Sequence, residues 1–353
     1  MGCWHNLVRN DWRPELLMPI SRKIMGVSRG RVFTGALTAA GTIATGTAPT
    51  SVCISADGTS VYVTNRSSNT VSIFTRNTST GALSGTSTIA TGTQPFSVCI
   101  SANGTSVYTG NSKGNTASIF TRNTSTGALS GTSTIATGLS PKGVCISVDG
   151  TSVYVANQNS NTVSIFTRNT STGALSGTST IATGSNPWPV CISADGSSVY
   201  VANNGGNTVS IFTRNTSTGA LTAAGTIATG DTPRGICISA DGTSVYVANV
   251  GSNTVSIFTR NTTTGALSGT TTIATGSSPN GVCISADGGS VYAVNEISAT
   301  VSIFTRNTTT GALSGTTTIA TGAAPNGVCI SADGTSVYTA NYSGLTASIF
   351  NRS

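Results

Sequence analysis

A unit of 46 residues, written seven times over, constrains the fold of this chain more than any other feature. Aligned on its cysteines, each copy reads T-G-A-L, then I-A-T-G-x-x-P-x-x-V-C-I-S-A-D-G-T-S-V-Y-V-A-N, then N-T-V-S-I-F-T-R-N. The copies run from Thr34 to Arg352 with no linker between them. In the first unit, short β-forming runs lie at Val52–Ile54, Val61–Val63, Val71–Phe74 and Leu83–Thr91. Asp57-Gly58 joins the first two and reads as a type I′ hairpin turn. Helical periodicity is absent. Four strands per repeat is the spacing of a propeller blade, and one blade alone cannot bury both of its faces.

The termini fit a closed ring. The repeat region starts with a fourth strand, at about Ala36–Thr45, and ends with a third strand, Thr346–Phe350. The expected fold is therefore an all-β, seven-bladed β-propeller over residues 34–353, with four strands per blade and the N-terminal strand joining the last blade. Without that clasp, both strand edges would be open to aggregation.

At this point the residues carry a likeness. Tyr62-Val63-Thr64-Asn65 recurs as Tyr154-Val155-Ala156-Asn157, Tyr200-Val201-Ala202-Asn203 and Tyr246-Val247-Ala248-Asn249. The pattern resembles the YVTN-repeat family of β-propellers, related to the seven-bladed lactonase-like (6-phosphogluconolactonase-type) propellers. The resemblance covers about residues 34–352. It implies the propeller fold and, through the wider family, hydrolysis of a sugar lactone. WD40 repeats are a poorer match, because no Trp-Asp or Gly-His recurs.

Charge narrows the partners. Charged residues are only 8 % of the chain, and the net charge is +7. Residues 1–33 hold Arg9, Arg13, Arg22, Lys23, Arg29 and Arg31 against Asp11 and Glu15, so +4 of that charge lies in a basic N-terminal arm. The repeats carry the other +3 with no basic stripe, so nucleic acid is not an expected partner. The arm reads as disordered, as an upstream start preceding Met18 or Met25, or as the remnant of a longer gene. It lacks the apolar core of a signal peptide, and no 18-residue apolar run marks a membrane span. The low-charge Thr/Ser/Asn/Gly surface and the family resemblance favour an extracytoplasmic location, and a monomer is expected.

Catalytic groups are scarce in the repeats. His5, the one histidine, lies in the arm, which excludes a histidine triad or histidine metal site from the ring. No metal or cofactor is expected. Cys53, Cys99, Cys145, Cys191, Cys237, Cys283 and Cys329 occupy one repeat position and read as reduced packing residues. The aspartates at Asp57, Asp149, Asp195, Asp241, Asp287 and Asp333 read as turn formers, with Asn103 in the remaining copy. Arg76, Arg122, Arg168, Arg214, Arg260, Arg306 and Arg352 read as a solubilising ring, loosely paired with those aspartates. Six Asn-Thr-Ser/Thr sites, such as Asn77 and Asn261, match the glycosylation pattern but arise easily in so Thr-rich a chain.

The copies differ mainly in two loops that share one face. After the fixed proline come Thr50, Phe96, Lys142, Trp188, Arg234, Asn280 and Asn326. The loop between second and third strands adds Arg66, Lys113, Glu296 and Tyr342. A protein or carbohydrate partner is expected there, with Phe96 and Trp188 as exposed anchors. The first functional expectation is a non-catalytic binding or surface scaffold. The alternative is a lactonase-like hydrolase acting on a sugar lactone, for which only Asp231, Glu296 and Arg234 break the symmetry usefully.

Overall fold

The pairing of the first and last strands of the repeat region organises the fold, as their sequence positions anticipate. The computed structural model describes residues 33–353; the arm, with His5 and Cys3, lies outside the described residues. β1 (Leu37–Ala44) pairs antiparallel with β28 (Thr346–Arg352), from Leu37 opposite Arg352 to Ala44 opposite Thr346, with one register shift between Ala39 and Gly41. It completes a four-stranded sheet with β27 (Ser336–Asn341) and β26 (Pro325–Ile330). The other six blades are consecutive four-stranded meanders, the first being β2 (Pro49–Ile54), β3 (Ser60–Asn65), β4 (Thr70–Arg76) and β5 (Leu83–Ala90).

Burial follows position within the blade. First strands face the central channel, and β2 abuts both β26 and β6 (Pro95–Ile100) of the adjoining blades. Second strands, such as β3, are buried along their whole length, whereas fourth strands such as β5 are mostly exposed. The core is divided into seven blade-to-blade seams. Tyr200, Val209 and Ile211 of the fourth blade meet Val245, Val247 and Phe258 of the fifth. The closing seam sets Val61, Val63 and Phe74 against Tyr338, Ala347 and Ile349, with Ile43 from β1 packed on it.

A buried polar latch locks each seam at one end. Arg260 of the fifth blade is 3 % exposed. Its Nε donates to the Tyr200 hydroxyl of the fourth blade at 2.7 Å, and that hydroxyl donates to the Gly265 carbonyl at 2.7 Å. Its Nη atoms donate to Gly242 O, Ser198 Oγ and Asp195 Oδ2. Gly265 is required twice over: its φ is +74°, and a Cβ there would lie 2.3 Å from Ser198 Oγ. The closing seam uses the same parts, Arg76 with Tyr338 and Asp333. In the adjoining seam Tyr292 donates to Gly35 O, from the segment leading into β1, while Arg352 pairs with Asp287 and lies over the Phe33 ring.

Two local expectations are corrected. The arginines are not loosely paired surface groups, because ring closure brings each against the tyrosine of the preceding blade. The Asp-Gly turn is not type I′. Gly58 has a positive φ of 70° and Asp57 does not, so the turn closes through Gly58 N donating to Ser55 O at 2.8 Å. Asp57 spans this turn by accepting from Ser55, Thr59 N and Thr59 Oγ1. Burial alone would raise its pKa, but these hydrogen bonds and the Arg122 charge outweigh that and hold it at about 2.

The seven repeat cysteines are free and half-buried, and they pack against the seams. Burial pushes the Cys99, Cys191 and Cys329 thiols up to about 12 and raises the other four as well. At neutral pH almost no thiolate is present to react. A thiol reagent applied to the folded protein should label these positions slowly, and denaturation without reductant should release all seven; missing thiols would show that bridges form. Among the described residues, no helix is long and apolar enough to cross a membrane.

The latch can be tested in both directions. Tyr200→Phe strands the Arg260 Nε–H and the Gly265 carbonyl and should cost about 2–4 kcal/mol in denaturant unfolding. Asn103→Asp supplies the carboxylate that Arg168 alone among the seven arginines lacks. Because such a side chain is partly exposed, the gain should be at most about 1 kcal/mol. A carboxyl with a depressed folded pKa stabilises above its unfolded pKa of ~4 and loses that contribution as pH falls through the folded value. The advantage of Asn103→Asp should therefore be full at neutral pH and vanish toward pH 2.

Candidate functional site

Each first strand begins with a proline followed by a shift in register against the second strand. In the third blade the shift falls between Pro141 and Gly143, so Lys142 has no cross-strand partner. Such a bulge re-aims a side chain. The same shift occurs at Thr50, Phe96, Trp188, Arg234, Asn280 and Asn326. The residue before each proline has a φ of 51–62°, and in five blades an asparagine in the loop of the preceding blade accepts from its N–H. Asn115 Oδ1, for example, accepts from Ser140 N at 2.8 Å. A strained loop, cross-braced in five of the seven blades, thus delivers each variable residue to the channel mouth.

All seven of these residues line one central cavity of about 180 Å³. Their backbones are equivalent, and their side chains make the site asymmetric. Phe96 and Trp188 pack edge to face, with ring centroids 5.2 Å apart. Lys142 Nζ lies 4.4 Å from the Phe96 ring centre and 5.0 Å from that of Trp188. The Arg234 guanidinium stands 4.8 Å from the Trp188 ring. The expectation of exposed anchors is corrected, since Phe96 is buried and Trp188 half-buried. Their rings pack into the mouth and cradle cations.

Electrostatics distinguishes the cations. Arg234 Nη1 donates to Asn280 Oδ1 at 3.1 Å and lies 3.8 Å from Glu296 Oε2, which also accepts from Asn280 Nδ2. Burial lowers the Arg234 pKa and Glu296 counters the shift. Lys142 is 8 % exposed and forms no ion pair among the described residues. Burial, with the positive charges of Arg66 and Arg234, brings its pKa down to about 8. The facing aromatic rings stabilise the charged form in part.

The other expected site residues separate. Glu296 stands beside the cavity through Arg234 and Asn280. Arg66 and Lys113 line a second cavity next to the first, and Tyr342 lines neither. Asp231 is exposed and accepts from Asn207 Nδ2, away from the mouth. The depressed pKa of Lys142 was not legible in the sequence; the available signal was a charged residue opening a strand that faces the channel. Among the described residues, no group of three or more His, Cys, Asp or Glu is placed to hold a metal ion.

Residues 33–136, 97–192, 189–284 and 262–353 match the family model described as Lactonase, 7-bladed beta-propeller. Among solved structures, the chain is similar to a candidate 6-phosphogluconolactonase from Bacteroides fragilis. Their identity is 25 % and the TM-score 0.71, over 79 % of this chain and 86 % of that one. A candidate 6-phosphogluconolactonase from Bacteroides uniformis gives 25 % identity and a TM-score of 0.70, over 78 % and 86 % of the two chains. The periplasmic gluconolactonase of Pseudomonas aeruginosa shares the fold at 17 % identity, with a TM-score of 0.69 over 78 % and 86 %. No curated protein matches the chain in sequence. These findings overturn the expectation of a non-catalytic scaffold and favour the reading that ranked second.

The electrostatic account predicts that Arg234→Gln raises the Lys142 pKa, because a like charge is removed. The shift should appear in an NMR titration of the isotopically dimethylated lysine, as a midpoint above the wild-type value of about 8. An unchanged midpoint would mean that the two cations do not share one field.

Proposed function

Because this chain belongs to the lactonase seven-bladed β-propeller family, we propose that it hydrolyses a sugar lactone at the channel mouth. The observation that carries the proposal is the cluster of Arg234, Asn280, Glu296 and Lys142 at the central cavity. Lys142, Arg234 and Asn280 line the cavity, and Glu296 reaches it through its contacts with Arg234 and Asn280. Its volume is below the ~300–1,000 Å³ typical of drug-sized pockets, which suits a molecule of sugar-ring size.

The chemistry follows from the groups present. Glu296 accepts a proton from a water as its oxygen bonds to the lactone carbonyl carbon. Arg234, aligned by Asn280, stabilises the oxyanion that forms. Collapse of that intermediate breaks the ring C–O bond, and Lys142 donates a proton to the departing ring oxygen. Glu296 releases its proton to solvent and Lys142 regains one, leaving an open-chain hydroxy acid. Trp188 and Phe96 supply apolar walls for the C–H faces of the sugar and keep the local dielectric low.

Purified protein should hydrolyse glucono- and phosphogluconolactones faster than buffer, with saturation. Glu296→Gln and Arg234→Gln should each lower kcat/KM by about 100-fold or more at little cost in Tm. The rate should fall as pH rises through about 8, where Lys142 loses its proton, and Lys142→Met should remove that limb. Equal rates with and without protein, or full activity in Glu296→Gln, would overturn the proposal.

A further inference from the structure

The second cavity, of about 340 Å³, opens beside the central one among loops of the first three blades. Arg66, Lys113 and Lys142 line it, Gln94, Ser140 and Asn159 add neutral polar groups, and no carboxylate faces it. Lys142 lines both cavities. Three cations without a countercharge repel one another, and the burial of Lys142 limits the water that would screen its charge.

Two details show that this basin differs from an ordinary basic surface. Lys142 is more than nine-tenths buried and has no hydrogen-bond or ion-pair partner among the described residues. Arg66 donates through Nη2 to Gln94 Oε1 at 3.2 Å, but its Nε is buried with no partner. An unsatisfied buried donor is costly, and an oxyanion accepts from several such donors at once. Sulfate and phosphate groups have that geometry. A neutral sugar hydroxyl would satisfy one donor and leave the charges uncompensated.

We propose that this lateral basin binds a dianionic oxyanion of the phosphate class, held by Arg66, Lys113 and Lys142 and separate from the Arg234–Glu296 centre. Its anion compensates the charge around Lys142 and so favours the protonated amine that the neighbouring cavity uses. The binding site itself does not depend on lactone hydrolysis. The oxyanion is either the free ion or the phosphate of a sugar ester.

Isothermal titration calorimetry of the full chain with inorganic phosphate tests the site, with glucose 6-phosphate and glucose as parallel titrants. Saturable binding of phosphate is expected, with none for glucose. Arg66→Gln and Lys113→Gln should each weaken it about tenfold or more, whereas Asp231→Asn should leave it unchanged. Lys113 is exposed, so its replacement leaves the fold intact, and an unaltered Tm checks Arg66→Gln. Equal affinity for both phosphates identifies the free ion as sufficient, and tighter binding of glucose 6-phosphate identifies the ester; either supports the basin. Absence of phosphate binding, or undiminished binding by both variants, overturns it whether or not lactones are hydrolysed.

Discussion

The buried arginine at the end of each third strand is the contact on which the ring depends. Apolar seams alone would let neighbouring blades slide, since Val, Ile and Phe faces set no unique register. The guanidinium adds direction. It takes a turn carbonyl in every seam, a tyrosine hydroxyl in six of the seven (all but that of Arg352, whose Nε is left without a partner) and a carboxylate in six (all but that of Arg168). The second exception is informative: Arg168 faces Asn103, yet it keeps its bonds to Tyr108 and Ser106. The tyrosine bond and the buried fork are therefore common to that seam and its neighbours, and the half-exposed ion pair is secondary.

The latch also explains the motif that the repeats share. Tyr200 of the Tyr-Val-Ala-Asn segment carries the hydroxyl of the latch, and Asn203 is buried and donates to Thr208 and Ser210 across the hairpin. The repeated residues thus hold the scaffold, and the unrepeated ones line the channel mouth. Securing the seams at one end leaves the position after each proline free to change at the other. Those positions converge on the channel, so a few substitutions turn a sevenfold ring into an asymmetric site.

Strand number, blade number and the clasp were legible in the sequence because they follow from period, turn chemistry and the phase of the two termini. The burial of the arginines was not, because Arg260 and Tyr200 are 60 residues apart and meet only when blades stack in order. Position singled out Lys142, Trp188 and Arg234, but their mutual stacking depends on bulges that redirect each strand start. Asp231 looked as asymmetric as Glu296; only the folded loops show that one meets Asn207 and the other meets Arg234. Turn type also escaped, since Asp-Gly suits more than one hairpin and the side-chain bonds of Asp57 decide between them.

A crystal structure with the open-chain sugar acid bound would test the central claim, that one end of the ring holds the fold and the other does the chemistry. The acid carboxylate is predicted between Arg234 and Lys142 in the central cavity, with its hydroxyls toward Glu296 and Asn280. A sugar acid bound instead against the arginine latches at the opposite end, with an empty channel mouth, would contradict the account.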